Sequence, residues 1–183
     1  MIIDKITGRL NVARWQESPN CDERPTGMEP ELIVIHNISL PPGAFGSGWI
    51  EALFSNRLDP EAHPYFAKIH QLRVSAHLLI HRNGALTQFV PFHRRAWHAG
   101  ESCYSGRQRC NDFSVGIELE GTDDQSYESV QYNKLARVIE ALLRAYPSLH
   151  RDAIVGHEHI APGRKTDPGA AFDWSLLRRM LGA

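Results

Sequence analysis

No stretch of about 18 uninterrupted apolar residues occurs anywhere in the 183-residue chain, which excludes an ordinary membrane-spanning helix. The opening segment MIIDKITGRLNVARW carries an acid at Asp4 and never assembles the apolar core of a secretory signal, so a cytoplasmic protein is expected. Cysteine is scarce: Cys21, Cys103 and Cys110 are odd in number and form no CxxC pair, which argues against a disulfide framework and fits a reducing compartment. An excess of one charge is also missing. With 20 Lys+Arg against 21 Asp+Glu the net charge is -1, so no global field gathers nucleic acid or an anionic membrane, and neither is an expected partner. Internal repeats, low-complexity tracts and long Gly/Ser linkers are absent, so residues 1–183 read as a single domain with a core spanning about 30–175.

What is present is an alternation of short strand and helix patterns. Leu32 to Ile35 is a continuous, largely β-branched run that predicts a central strand buried on both faces, with His36 at its carboxyl end. Ala76 to His81, Asn83-Gly84, and Ala85 to Val90 predict a hairpin closed by a tight primed turn. Phe113 to Leu119 alternates, with Val115, Ile117 and Leu119 on one face and Ser114, Gly116 and Glu118 on the other. Ala153 to Val155 is a further short apolar segment. Helical spacing marks Tyr127 to Tyr146, ending before Pro147, and shorter helices are predicted over Trp49 to Phe54 and Trp174 to Leu181. The sum is an α/β domain with a mixed central sheet flanked by helices. Loops rich in Pro and Gly, SLPPGAFGSG from Ser39 and APGRKTDPG from Ala161, are long enough to be functional.

Ten histidines invite a metal hypothesis, and position separates them. His36 ends a strand, His157 follows the segment AIVG, and Asp167 lies ten residues later in a loop braced by Pro162 and Pro168. Two imidazoles and one carboxylate make a three-ligand set for Zn²⁺ with a fourth position open to water. No HExxH motif is present, and spacing alone leaves a metal site and unrelated packing histidines both open. His77 and His81 read as structural residues of the hairpin. Small neighbours Ser114 and Gly116 leave room beside Glu118 for a substrate or a metal-bound water, against the alternative of a solvated edge carboxylate. Lys165, two residues before Asp167, can stabilise an oxyanion or merely be solvated. Trp97-His98 offers a stacking surface for a sugar or peptide, and Arg73 and Arg109 can clamp carboxylates, although packing is the commoner role of a tryptophan and solvation of a face that of such arginines.

The whole set of motifs, VIHNISLPPGAFG, HPYF, VSAHLLIHRNG, RRAWHAGES, CNDFSVGIELEGTD and VGHEHIAPGRKTDPG, resembles the type 2 N-acetylmuramoyl-L-alanine amidases. These zinc enzymes share a superfamily with phage amidases and animal peptidoglycan recognition proteins. The resemblance is to the cytoplasmic branch acting on 1,6-anhydro-muramoyl peptides and covers about residues 15 to 175. It implies zinc held by His36, His157 and Asp167, catalytic roles for Glu118 and Lys165, and substrate contacts at Asn37, Arg73, Trp97 and Arg109. Asp167 stands where phage and animal relatives commonly carry cysteine. The implied partner is an anhydro-muropeptide, with no obligate protein partner. The implied reaction cleaves the amide between anhydro-N-acetylmuramic acid and L-alanine during wall recycling, which also restrains inducible β-lactamase synthesis. Three alternatives remain: an amidase of intact peptidoglycan, a wall-fragment binding module without catalysis, and a cysteine hydrolase using Cys103 or Cys110 with His98.

Overall fold

Leu32, Ile33, Val34 and Ile35 are completely buried, and they open the strand around which the molecule is organised. Three of the four are β-branched and none is polar, which suits a strand covered on both faces. The computed structural model describes residues 1–182. Its main sheet has six strands: β1 (Arg14–Trp15), β2 (Leu32–Ile38), β3 (Leu78–Ile80), β4 (Leu86–Gln88), β5 (Ser114–Glu120) and β6 (Ile154–Gly156). The spatial order is β6-β2-β5-β3-β4-β1. Strands β6, β2, β5 and β3 run parallel, β3 and β4 form the antiparallel hairpin, and β1 pairs parallel to β4. The sheet is therefore mixed, as the sequence predicts.

Among the described residues five α-helices cover it: α1 (Trp49–Phe54), α2 (Phe66–Ile69), α3 (Ser129–Ala145), α4 (His157–Ile160) and α5 (Trp174–Met180). The long helix α3 begins where Gln131 caps the backbone of Glu128, its Oε1 accepting from Glu128 N at 3.0 Å. It ends at Tyr146, whose extended backbone precedes Pro147. Its inner stripe of Leu135, Val138, Ile139 and Leu142 packs with Ile33, Ile35, Val115, Ile117 and Leu119 of the sheet. Fully burying each such side chain stabilises the fold by about 1.5–3 kcal/mol relative to leaving it exposed. The opposite face is covered in two patches. One gathers Leu53, Phe54, Phe66, Leu79 and Phe89, and the other Leu32, Val34, Phe113 and Ile160.

Several details depart from the sequence expectation. Strand β2 continues through His36 to Ile38, because β5 keeps pairing alongside it as far as Glu120 opposite Ile38. The hairpin turn places only Gly84 at positive φ, and His81 N donates to Ala85 O at 3.0 Å. The connection is thus longer than a two-residue primed turn. Helix α2 and three two-stranded ribbons were not anticipated; the ribbons pair Ile3–Asp4 with Arg9–Leu10, Cys21–Asp22 with Arg95–Ala96, and Cys103–Tyr104 with Arg107–Gln108. Elements of two to four residues carry too little periodicity to be visible in sequence.

Candidate active site

Parallel pairing sets Glu118 opposite His36, Gly116 opposite Val34, and Ser114 opposite Leu32. Alternation puts these side chains on the face turned away from α3. On the other flank of β2, Gly156 of β6 pairs with Ile35, and the chain turns at once into α4 with His157 as its first residue. Asp167 arrives from the loop after α4. That loop folds back because Glu158 N donates to Asp167 O at 3.0 Å and Lys165 N donates to Ala161 O at 3.0 Å.

The three predicted ligand residues converge. Nδ1 of His36 lies 3.0 Å from Nδ1 of His157 and 3.0 Å from Oδ2 of Asp167, and His157 Nδ1 lies 3.1 Å from the same carboxylate oxygen. Tetrahedral ligands about 2.0–2.1 Å from a metal stand roughly 3.3 Å apart, so this triangle has nearly the required size. Nε2 of His157 is 3.1 Å from the Ala99 carbonyl, which can only accept. The proton of neutral His157 therefore sits on Nε2, leaving a lone pair at Nδ1. Two imidazoles and a carboxylate with an open fourth direction fit a borderline divalent cation.

A cavity of about 370 Å³ lies against this triangle, lined by His36, His157, Asp167, Glu118 and Lys165 at one end and by Leu40, Phe54, Tyr65 and Ile69 toward the other. Glu118 is only 8% exposed, and its Oε2 has no hydrogen-bond partner. Burial drives its pKa well above the usual carboxylate range and the charge of Asp167 adds to that rise, while Lys165 acts in the opposite direction. Asp167 shows the reverse outcome. Burial pushes its pKa up, but hydrogen bonds from His157 and His36 hold it below the ordinary carboxylate range. Burial also brings His36 down to about 4. Two carboxyl groups pushed apart in this way, one protonated readily and one held as an anion, are the arrangement from which acid–base chemistry is built.

The remaining predicted residues scatter around this centre. Arg73, Trp97 and Lys165 line an adjoining cavity of about 200 Å³ together with His98 and Arg164. Trp97 is fixed there by its Nε1–H donating to Asp22 at 3.1 Å. Arg109 is largely exposed, pairs with Asp112 at 3.3 Å, and lines a separate depression with Glu101, Cys103 and Pro162. Asn37 follows His36 and so turns to the other face, where its amide donates to Asp123 Oδ1 at 2.7 Å and Pro168 O at 3.0 Å. One amide hydrogen thereby holds the Asp167 loop and the other the segment that follows β5. The thiols of Cys21 and Cys110 are pushed up by burial, opposite to an activated thiolate, and both ring nitrogens of His98 face His36 and Ser114. No cysteine–histidine pair is assembled among the described residues.

One feature escaped the sequence, and the structural reading of His77 acquires its partners. The room beside Gly116 is filled by the half-buried ring of His98, not left for a substrate or water: a Cβ on Gly116 would fall 2.6 Å from Nδ1 and 2.7 Å from Cδ2 of that ring. His77 is completely buried, its Nδ1 accepting from Gly116 N at 3.0 Å and its Nε2 donating to Arg94 O at 3.0 Å. The small residue at 116 was the available signal, but nothing local says which side chain occupies the space.

A mixed sheet with two imidazoles, an anionic carboxylate and a buried, protonatable glutamate around one cavity has the equipment of a hydrolase. The family model described as N-acetylmuramoyl-L-alanine amidase matches residues 26–170, and the chain belongs to that family of amidases. Within it, the chain is 58% identical over 174 residues to the 1,6-anhydro-N-acetylmuramyl-L-alanine amidase AmpD of Escherichia coli strain K12, covering 95% of this chain and 94% of the relative. The fold matches the crystal structure of a selenomethionine AmpD derivative with a TM-score of 0.95 at 56% identity, covering 99% of each chain. AmpDH3 from Pseudomonas aeruginosa, in complex with anhydromuramic pentapeptide, matches with a TM-score of 0.65 at 28% identity, over 85% of this chain and 61% of that one.

Proposed function

We propose that this chain is a zinc-dependent hydrolase of the amide between 1,6-anhydro-N-acetylmuramic acid and the L-alanine of the stem peptide. The observation that carries the reading is the triangle of His36 Nδ1, His157 Nδ1 and Asp167 Oδ2 beside the unpartnered Glu118. The names of relatives at 51–58% identity, which specify the anhydro sugar, support the substrate. In this reading the enzyme acts in the cytoplasm on recycled wall fragments, and by consuming them lowers the signal that induces β-lactamase. No helix among the described residues is long and apolar enough to cross a membrane.

His36, His157 and Asp167 would hold the zinc, the two imidazoles offering the Nδ1 atoms that converge. When bound, zinc would supply Lewis acidity that polarises the scissile carbonyl and lowers the pKa of water to about 7. Glu118, facing the same cavity, takes the proton of the attacking water and returns it to the departing amine nitrogen of L-alanine as the C–N bond breaks. Its raised pKa suits the return of that proton to the amine. Lys165 places positive charge beside the carbonyl oxygen as negative charge develops, an effect worth roughly 3 kcal/mol for a single donor. Trp97 and Arg73 in the adjoining cavity and Asn37 and Arg109 at the periphery are assigned to substrate placement, Asn37 through the loop it holds.

The test is hydrolysis of anhydro-muramoyl tripeptide and of intact peptidoglycan by zinc-loaded, chelated and Asp167→Ala protein. Zinc-dependent release of peptide from the soluble fragment, lost on chelation and in the variant, is the expected result. Activity confined to intact wall would move the assignment to a lytic amidase, and binding without cleavage would leave a recognition module.

A further inference from the structure

Below the metal triangle lies a second, half-buried imidazole, His98. Nε2 of His36 is 2.9 Å from Nδ1 of His98, and Nε2 of His98 is 3.1 Å from Oγ of Ser114. The His98 ring stands edge-on to His36, with centroids 5.0 Å apart and planes at 84°, and edge-on to His77 at 5.8 Å. Its backbone is pinned as well, since Asn111 Oδ1 accepts from His98 N at 3.1 Å and from Ala99 N at 2.8 Å. The ring occupies the space that glycine at position 116 leaves open.

A neutral histidine that presents Nδ1 to a metal must carry its proton on Nε2, and in a buried site that proton needs an acceptor. For His157 the acceptor is the Ala99 carbonyl, which can play no other part. For His36 the atom within reach is His98 Nδ1. Neutral His98 can accept there only by keeping its own proton on Nε2, where the Ser114 hydroxyl receives it. A serine hydroxyl suits that end of the chain because it accepts as readily as it donates.

We infer that His98 is a positioning residue for the metal centre: seated by Gly116 and anchored on Ser114, it accepts the Nε2 proton of His36 and so holds His36 Nδ1 bare and aimed at the metal. This inference rests on the proposed zinc site and adds a second-row residue to it. It differs from the sequence expectation of His98 as part of a stacking surface for substrate. Loss of such outer partners typically weakens metal affinity about 10–100-fold.

Two substitutions at one position separate the roles. In His98→Asn the amide oxygen can stand where Nδ1 stood and accept the same proton, whereas His98→Leu fills the space with no acceptor. Zinc affinity, measured by competition with a chelator, is expected to fall about 10–100-fold in His98→Leu and to stay near wild type in His98→Asn. Gly116→Ala, which displaces the ring without removing a hydrogen-bonding group, is expected to behave like His98→Leu. With zinc saturating, KM of His98→Leu for anhydro-muramoyl tripeptide should remain near wild type. Nitrogen-15 NMR of the zinc-loaded wild type provides a readout independent of any variant's folding, with His36 protonated at Nε2 and that proton hydrogen-bonded to His98 nitrogen. Unchanged zinc affinity in His98→Leu with a raised KM would overturn the inference in favour of a substrate contact, as would His36 protonated at Nδ1 in the zinc form. A wild type that takes up no zinc would instead defeat the underlying metal assignment, whatever the variants do.

Discussion

The two faces of the central sheet are built on opposite terms. Toward α3, the side chains of Ile33, Ile35, Val115, Ile117 and Leu119 pack into one apolar cluster. On the other face of the same two strands, a few ångströms away, stand His36, Ser114, Gly116 and Glu118, with buried polar atoms that the fold must satisfy one by one or leave unsatisfied. The first face is apolar along both strands, while the second combines apolar patches with this polar centre. The second is where stability is given up for chemistry, most plainly at Glu118, whose buried Oε2 has no partner.

The sharpest way to break this comparison is at Glu118. Glu118→Ala is expected to lower kcat by about 10²–10⁴-fold while zinc content stays at wild-type level. Activity and bound metal measured on the same sample check it; near-normal turnover would remove Glu118 from the proton transfer. On the opposite face, Leu142→Ala should cost about 2–5 kcal/mol of stability in denaturant titration and leave zinc affinity and kcat unchanged at a temperature where the variant is folded. A fall in zinc affinity there would mean that the two faces are coupled through the strands.

A smaller effect sharpens the boundary between the faces. Asn37 ties β2 to Asp123 and to the carbonyl of Pro168, next to Asp167. Tyr127 donates to the same carbonyl at 2.7 Å. Asn37→Ala is expected to cost about 1–3 kcal/mol, because partners are left buried without their donor, and to weaken zinc binding through the loosened loop. Thermal unfolding of metal-free protein and chelator competition measure the two parts separately. A stability loss with zinc affinity intact would show that the Tyr127 bond alone suffices to hold the loop.

The apolar face was the more legible of the two. The run LIVI, the period of α3 and the stop before Pro147 are local signals, and they produced a strand, a helix and a boundary close to those observed. The positions of His36, His157 and Asp167 left a metal site open, and it was the family resemblance that implied their convergence, although β2 runs two residues beyond His36. What stayed hidden depends on pairing across the chain. Asn37 reaches partners 86 and 131 residues away, and His98 is brought under His36 from a separation of 62. Gly116 could be seen to leave room, but its occupant is set by where Asn111 anchors the backbone at His98.

The acid limb of stability tests the same division with the smallest effect per group. Burial holds His36 neutral down to about 4 and His77 down to about 3, and lowers His98 well below its ordinary value. The unfolded chain protonates each imidazole near 6.5. Below that pH the unfolded state binds more protons than the native state, so stability is fully present above about 6.5 and is lost as pH falls toward about 4. Each neutral imidazole contributes a slope of up to about 1.4 kcal/mol per pH unit in that window. Glu118 has the opposite sign: its raised pKa makes the native state bind the extra proton, so its contribution declines as pH rises above the unfolded carboxylate value. Denaturant titrations of metal-free protein between pH 4 and 8 are therefore expected to show a steep acid limb, flattened by one imidazole's share in His98→Asn. Glu118→Gln should gain stability at neutral pH relative to wild type, and Leu142→Ala should lower the whole curve without changing its shape. An acid limb in His98→Asn as steep as that of wild type would mean that His98 is not held neutral in the native state.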